Sequence, residues 1–298
     1  RPIKYTDTMP ELPEVETIRR GLSAKITNIP IRKVEIRFPK IIRGASATFI
    51  SELENQEISA IDRRGKLLIL RLSNRTQAVL IHLKMTGQLI YQNESEYVAG
   101  GHPWPAFSTE LPNKYTHVTL TFANAGKLFF NDLRQFGFLQ LASTAEVTQI
   151  VAKYGLEPGL PEFTEAAFLE RLAKKRGKLK ALLLDQHILS GLGNIYVDES
   201  CFWAGILPTR PVESLNLDER KKLFAAISHV IDQAILQRGT TIHDFVDADG
   251  KRGNYSDFLM VYGRAKQPCL RCGSSLGGVI TKLKFAGRGT HFCNHCQQ

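Results

Sequence analysis

The sequence lacks the features that send a chain into or across a membrane. No apolar run approaches the ~20 residues a spanning helix needs, and no secretory leader pattern is visible. No internal repeat or long low-complexity segment is present, which excludes a solenoid. Cysteine is scarce: of five, four form Cys269-x-x-Cys272 and Cys293-x-x-Cys296, and Cys201 stands alone. Paired CxxC spacing in a chain without a leader argues for zinc in a reducing compartment rather than for disulfides. Acid is in deficit, 29 Asp and Glu against 39 Lys and Arg, for a net charge of +10. Residues 264–298 contain no acid at all. That balance favours a polyanionic partner, although charge alone is weak evidence.

What is present divides in two. Residues 13–26 carry Val15, Ile18, Leu22 and Ile26 at helical spacing. Short strand-like segments follow at 34–38, 58–62, 66–72, 78–82, 88–91, 117–122, 127–131 and 137–141, which suggests a β-sandwich. Residues 93–114, rich in Gly, Pro and polar groups, read as a mobile loop. After about residue 143 the pattern turns helical, with a helix capped by Thr164 and containing Phe168, Leu169 and Leu172, and others predicted at 178–186, 194–204 and 217–238. Cys201, among Phe202, Trp203 and Ala204, reads as a buried small apolar residue.

Six local patterns carry chemistry. The two CxxC knuckles, separated by enough chain for a β-hairpin, make a closed four-thiolate site, so the zinc is structural. The hairpin's Lys282, Lys284 and Arg288 suit phosphate. Gly191-x-Gly193-Asn194 opens a helix whose free N–H groups suit phosphate, though a plain inter-helix turn reads the same way. Arg63, Arg64, Gly65 and Lys66 form a basic turn before an apolar strand; the plain alternative is a solvated hairpin tip. His82 to Gly87 and Asp132 to Gly137 place Met85, Arg134 and Phe136 near strand ends. In an enzyme that extrudes a base, such a wedge and arginine fill the vacated stack. Finally, PELPEVET occupies residues 10–17. If Met9 is the start and is removed, the nitrogen of Pro10 is a nucleophilic secondary amine with Glu11 beside it. The plain alternative is a helix start, with proline and acid in the first turn. Residues 1–9 are expected to be an extension or tag removed with Met9.

Together these motifs resemble the formamidopyrimidine-DNA glycosylase family from Met9 to the C-terminus. The resemblance implies an α+β multidomain fold. It has an N-terminal β-sandwich with a leading helix (10–143), a linker (144–163), a helix–two-turn–helix domain (164–264) and a zinc finger (265–298). It implies a bifunctional base-excision glycosylase and abasic-site lyase that removes 8-oxoguanine and formamidopyrimidines from duplex DNA. Pro10 is then the nucleophile on C1′ and Glu11 the proton carrier. Glu14 orders the N-terminus, Glu16 faces solvent, and Lys66 contacts phosphate near the lesion. Asn194 and Arg288 grip phosphate, with Lys178 and Tyr262 also on the DNA. Met85, Arg134 and Phe136 fill the gap, Arg134 facing the orphaned cytosine. Cys269, Cys272, Cys293 and Cys296 hold one Zn2+. Residues 239–255 resemble the family's lesion-reading loop, with Gly250 and Gly253 suited to closure. The zinc hairpin is about four residues longer than the family's spacing, with the insertion expected near 274–278. No membrane partner is expected, and a monomer in the bacterial cytoplasm, associated with the nucleoid, is. The competing readings are an endonuclease VIII-type enzyme for oxidised pyrimidines, a non-catalytic damage-binding zinc protein, and a zinc-ribbon protein without damage preference.

Overall fold

The computed structural model describes residues 9–102, 109–240, 255–273 and 276–298. These fall into two compact units, one of residues 9–152 with 237–240, the other of Lys153–Leu236 with Tyr255–Gln298.

The first unit opens with α1 (Leu12–Ile26), capped by Glu11 with Pro13 in its first turn. Its predicted stripe of Val15, Ile18, Leu22 and Ile26 is at most 1% exposed. Then come β1 (Ile31–Ile36), β2 (Ile42–Arg43), α2 (Ser46–Leu53), β3 (Ile58–Arg64), β4 (Leu67–Leu72), β5 (Gln77–His82) and β6 (Gly87–Gln92). They are followed by β7 (Tyr97–Gly101), β8 (Thr116–Phe122), β9 (Lys127–Asp132), β10 (Phe138–Ser143) and α3 (Thr144–Val151). The strands form two five-stranded sheets, ordered β1-β8-β9-β6-β7 and β2-β10-β5-β4-β3. One core joins them: Leu68, Leu70 and Ile81 from one sheet meet Leu89, Phe122 and Phe130 from the other, with Ile18 and Leu22 of α1. Alternate residues of each strand face inward, as a sandwich requires.

Three connections cross between the sheets, one of them taking β1 into β2 through residues 37–41. β5 runs into β6 through residues 83–86, and β9 into β10 through 133–137. Because β5 pairs with β10 (His82 opposite Phe138) and β6 with β9 (Gly87 opposite Asp132), the two corners lie side by side.

All eight expected strands are present, the first beginning three residues earlier, at Ile31. The loop expected at 93–114 is corrected in part, since Tyr97–Gly101 is strand β7. Its glycines serve close packing. A Cβ at position 100 would lie 2.3 Å from Ile18 Cγ1, and one at 101, where φ is +118°, 2.2 Å from the Gly87 carbonyl oxygen. Residues 103–108 of that segment lie outside the described residues. The segment expected as linker opens with α3, because Ser143 and Glu146 form a capping box.

The second unit holds α4 (Glu165–Ala173), α5 (Leu179–Leu184), α6 (Asn194–Ala204), α7 (Leu217–Leu236), β11 (Ile280–Phe285) and β12 (Arg288–Cys293). The Thr164 hydroxyl caps α4 by accepting from Ala167 N at 3.2 Å. β11 and β12 form an antiparallel hairpin. Between its two ends α6 is buried on every side, polar residues included. Its Asp198 accepts from Lys180 Nζ at 2.6 Å and from His291 N at 2.8 Å, tying the helix to α5 and β12. Its Glu199 accepts from the backbone N–H groups of Met260, Val261 and Tyr262 at 2.8–2.9 Å. Burial still raises the Glu199 pKa, to about 7. Cys201 is fully buried and burial raises its pKa, which makes it inert, as expected.

Candidate functional site

In the first unit, Pro10 and Glu11 lie at the N-terminal end of α1, both buried. The helix start is organised by Glu14. One of its oxygens accepts from Glu11 N at 3.0 Å, closing the first turn. The other accepts from Thr240 N at 2.7 Å and from Thr240 Oγ1 at 3.0 Å. The chain after Gly239 is thereby fastened to the helix that presents Pro10. Gly239 is needed there: its φ is +84°, and a Cβ would come 2.6 Å from Glu14 Oε1. Residues 241–254, which hold most of the expected lesion-reading loop with Gly250 and Gly253, lie outside the described residues, as do 1–8 and 274–275.

Lys66 lies with Gly65 in the turn that joins β3 to β4, where Gly65 adopts φ +56°. It is 4% exposed. The expectation that Glu16 faces solvent is wrong. Glu16 is 7% exposed and accepts from Arg19 (2.8 and 2.9 Å), Arg20 (2.7 Å) and Arg63 (3.1 Å). Burial works against its charge, but the arginines win and hold its pKa at about 2. The signal was in the sequence, because Arg19 and Arg20 stand three and four residues after Glu16 on a helix. The partnership with Arg63, 47 residues away, was not.

The paired corners bring Met85, Arg134 and Phe136 to one edge of the sandwich. Met85 is half-buried and Phe136 is 54% exposed, with the Arg134 guanidinium 4.7 Å from its ring centre. An apolar ring this exposed is unusual for a core residue and suits a wedge. Sequence reasoning missed the residues that fasten the corners. Thr86 donates to Asp132 Oδ1 and accepts from Arg134 N at 2.9 Å. Asp132 Oδ2 accepts from Gly137 N at 2.7 Å. His82 Nδ1 accepts from Lys84 N at 3.0 Å, and burial together with nearby cations depresses the His82 pKa to about 3, so the ring is neutral.

In the second unit, Asn194 opens α6 and donates to the Gly289 carbonyl at 3.0 Å and to Tyr262 Oη at 3.4 Å. Lys180 Nζ donates to the same carbonyl at 3.0 Å. Asn194, Tyr262 and the start of β12, where Arg288 is exposed, are thus one cluster. Lys178 is exposed, with its Nζ 4.8 Å from the ring centre of Phe285, which pairs with Arg288 across the hairpin.

The ligand atoms of Cys269, Cys272, Cys293 and Cys296 all lie within 4.8 Å of one another. Cys269–Cys296 and Cys272–Cys293 are each 3.7 Å apart, Sγ to Sγ. Zn–S bonds of about 2.3 Å in a tetrahedron require S···S near 3.8 Å, so the cluster fits the ion. Gly278 admits it closely, since a Cβ there would lie 2.0 Å from Cys272 Sγ. Among the described residues no helix is long and apolar enough to cross a membrane.

Three family models match the chain. The formamidopyrimidine-DNA glycosylase N-terminal domain covers residues 9–139 and the formamidopyrimidine-DNA glycosylase H2TH domain 154–246. The zinc finger found in FPG and IleRS covers 266–298, and the four cysteines accordingly hold one structural zinc ion. A formamidopyrimidine-DNA glycosylase of Heliobacterium modesticaldum is 40% identical over 97% of this chain and 100% of its own length. One from Listeria innocua is 38% identical with the same coverage. The Lactococcus lactis Fpg in complex with abasic-site DNA matches with a TM-score of 0.84 at 34% identity, covering 97% of this chain and 99% of that one. The same enzyme bound to N7-benzyl-Fapy-dG DNA gives 0.84 at 35%, covering 97% and 100%. By sequence over nearly its whole length, and by fold, this chain belongs to the formamidopyrimidine-DNA glycosylase family.

Proposed function

We propose that this chain excises oxidised purines, 8-oxoguanine and formamidopyrimidines, from duplex DNA and cuts the strand at the abasic site it creates. The observation that carries the reading is the start of α1, where Glu14 fixes both the Glu11 N–H and Thr240 and so presents Pro10 and Glu11 on a rigid helix end. With Pro10 N-terminal, its nitrogen lone pair attacks C1′ and the bond to the damaged base breaks. Glu11 protonates the ring oxygen as the sugar opens, leaving an iminium. Loss of a C2′ proton sends electrons into that iminium and expels the 3′ phosphate; a second elimination expels the 5′ phosphate. Lys66 holds phosphate beside the lesion. Met85, Arg134 and Phe136 fill the space left by the flipped nucleotide. Asn194, Arg288, Tyr262 and Lys178 grip the backbone through the helical and zinc-binding segments. In this reading residues 10–143 carry the chemistry, while 164–264 and 265–298 carry much of the grip. The enzyme works as a monomer on chromosomal DNA in the bacterial cytoplasm.

The test is borohydride trapping on a duplex with one 8-oxoguanine opposite cytosine, using chains that begin at Pro10 or at Arg1. A covalent adduct and strand cleavage from the Pro10 start alone is the expected result. Lesion binding without an adduct from either chain would replace the enzyme with a damage-binding protein. An adduct from the extended chain alone would give the nucleophile's role to another amine.

A further inference from the structure

We propose that Arg63, held by Glu16, is a positioning residue that aims Lys66. The inference rests on the role given above to Lys66. Glu16 and Arg63 are a buried pair, with side chains 9% and 8% exposed. Neither has any place in the chemistry described so far. Arg63 uses two nitrogens on two different elements. Nε donates to Glu16 Oε2 on α1 at 3.1 Å, and Nη1 donates to the Gly65 carbonyl at 2.9 Å. Arg19 fastens the same carboxylate to β3 a second time, through Nη1 to the Ile61 carbonyl at 3.3 Å.

The Gly65 carbonyl belongs to the peptide plane that Gly65 shares with Lys66. A peptide is rigid, so holding its oxygen fixes the plane, and the plane sets the direction in which Lys66 leaves the backbone. Gly65 itself adds no stiffness, because glycine at φ +56° has neighbouring conformations of similar energy. The guanidinium supplies what the glycine lacks. The result is one continuous linkage: α1, which presents Pro10 and Glu11 at its start, to Glu16, to Arg63, to the 65–66 peptide, to Lys66. It registers the nucleophile's helix against the phosphate-holding lysine. Arg20 shares the carboxylate at 2.7 Å but is 60% exposed at its side chain and, among the described residues, makes no hydrogen bond or ion pair with the Lys66 turn. It is the internal control.

The experiment uses the full chain begun at Pro10, a lesion duplex carrying 8-oxoguanine opposite cytosine, and single-turnover excision with binding measured separately. Arg63→Lys keeps the charge, but a single ammonium does not span both acceptors as the fork does. It is expected to slow excision about tenfold or more, with duplex affinity and thermal midpoint nearly unchanged. Arg20→Ala is expected to excise at the parental rate. Adding Arg63→Lys to Lys66→Ala is expected to slow the reaction no further than Lys66→Ala alone, because Arg63 acts through Lys66. If Arg63→Lys does not fold, Glu16→Gln in the same series replaces it with the same expectations for excision rate and duplex affinity, while its thermal midpoint falls through loss of the ion pairs. The proposal is overturned if Arg63→Lys excises normally, if Arg20→Ala is slowed as much, or if the double variant shows the product of the two single effects. If Lys66→Ala alone excises normally, the assignment of Lys66 fails first and this proposal falls with it. Trapping at Pro10 would stand in every one of these cases.

Discussion

Glu14→Gln tests the organisation of the helix start most directly. Among the described residues the carboxylate, 4% exposed, accepts two hydrogen bonds from Thr240 on one oxygen and one from Glu11 N on the other. Glutamine has the same shape but a single acceptor. With its oxygen toward Thr240, its NH2 group faces the Glu11 N–H, donor against donor. Turned the other way, it faces both Thr240 donors. The first orientation is the cheaper. It leaves one buried N–H unsatisfied, at about 1–3 kcal/mol, and weakens the two retained bonds by losing the charge, for about 3 kcal/mol in all. For a unit of this size that lowers the calorimetric midpoint by about 6–12 °C. The same change frees Glu11 and the neighbouring Pro10 from their fixed geometry. Single-turnover excision should therefore fall by about a hundredfold while duplex affinity changes little. A variant that melted within about one degree of the parent and excised at its rate would show the reasoning to be wrong.

Three further outcomes follow from the geometry. Purified protein should contain one zinc per chain by elemental analysis. Chelation should unfold the hairpin and flatten the salt dependence of DNA binding, since Lys282, Lys284 and Arg288 lie on it. The Glu16 pKa is depressed from the ordinary 4.5 to about 2, so its stabilisation is present above about pH 4.5 and is lost as pH falls toward 2. The parent should exceed Glu16→Gln by about 1–2 kcal/mol at pH 7, after allowing for screening around exposed Arg20, and the two acid-titration curves should converge near pH 2. A constant gap would deny the ion pairs their role. Gly100→Ala should destabilise the sandwich by about 1–3 kcal/mol through collision with Ile18, and the penalty should shrink in an Ile18→Ala background, a double-mutant cycle read by calorimetry.

Helices α1, α4, α5, α6 and α7 and eight of the strands were legible because their signals are local, whereas α2, α3 and the two-residue β2 were not anticipated. Ile18 and Leu22 fall on one face of a 3.6-residue repeat, and Val118, Leu120 and Phe122 on one face of a two-residue repeat. Strand β7 was not legible. Gly100 and Gly101 carry the composition of a loop, and only the approach of Ile18 and of the Gly87 carbonyl explains why glycine is required in a strand. Glu16 was misplaced for a related reason. Its position just off the apolar stripe of α1 looks solvent-facing until β3 brings Arg63 over it.

The sequence by itself determined most of the elements, the zinc ligands and the residue types available for chemistry, because spacing along one chain sets helical faces, strand alternation and the reach of paired thiolates. Only the tertiary structure decided which of those residues act together. The sheet-crossing corners set Met85 beside Arg134 and Phe136, Glu14 ties the start of α1 to Thr240, and Arg63 links Glu16 to the Lys66 turn. These partners are separated by tens to hundreds of residues. What joins them is strand register and burial, and those are properties of the packed sandwich.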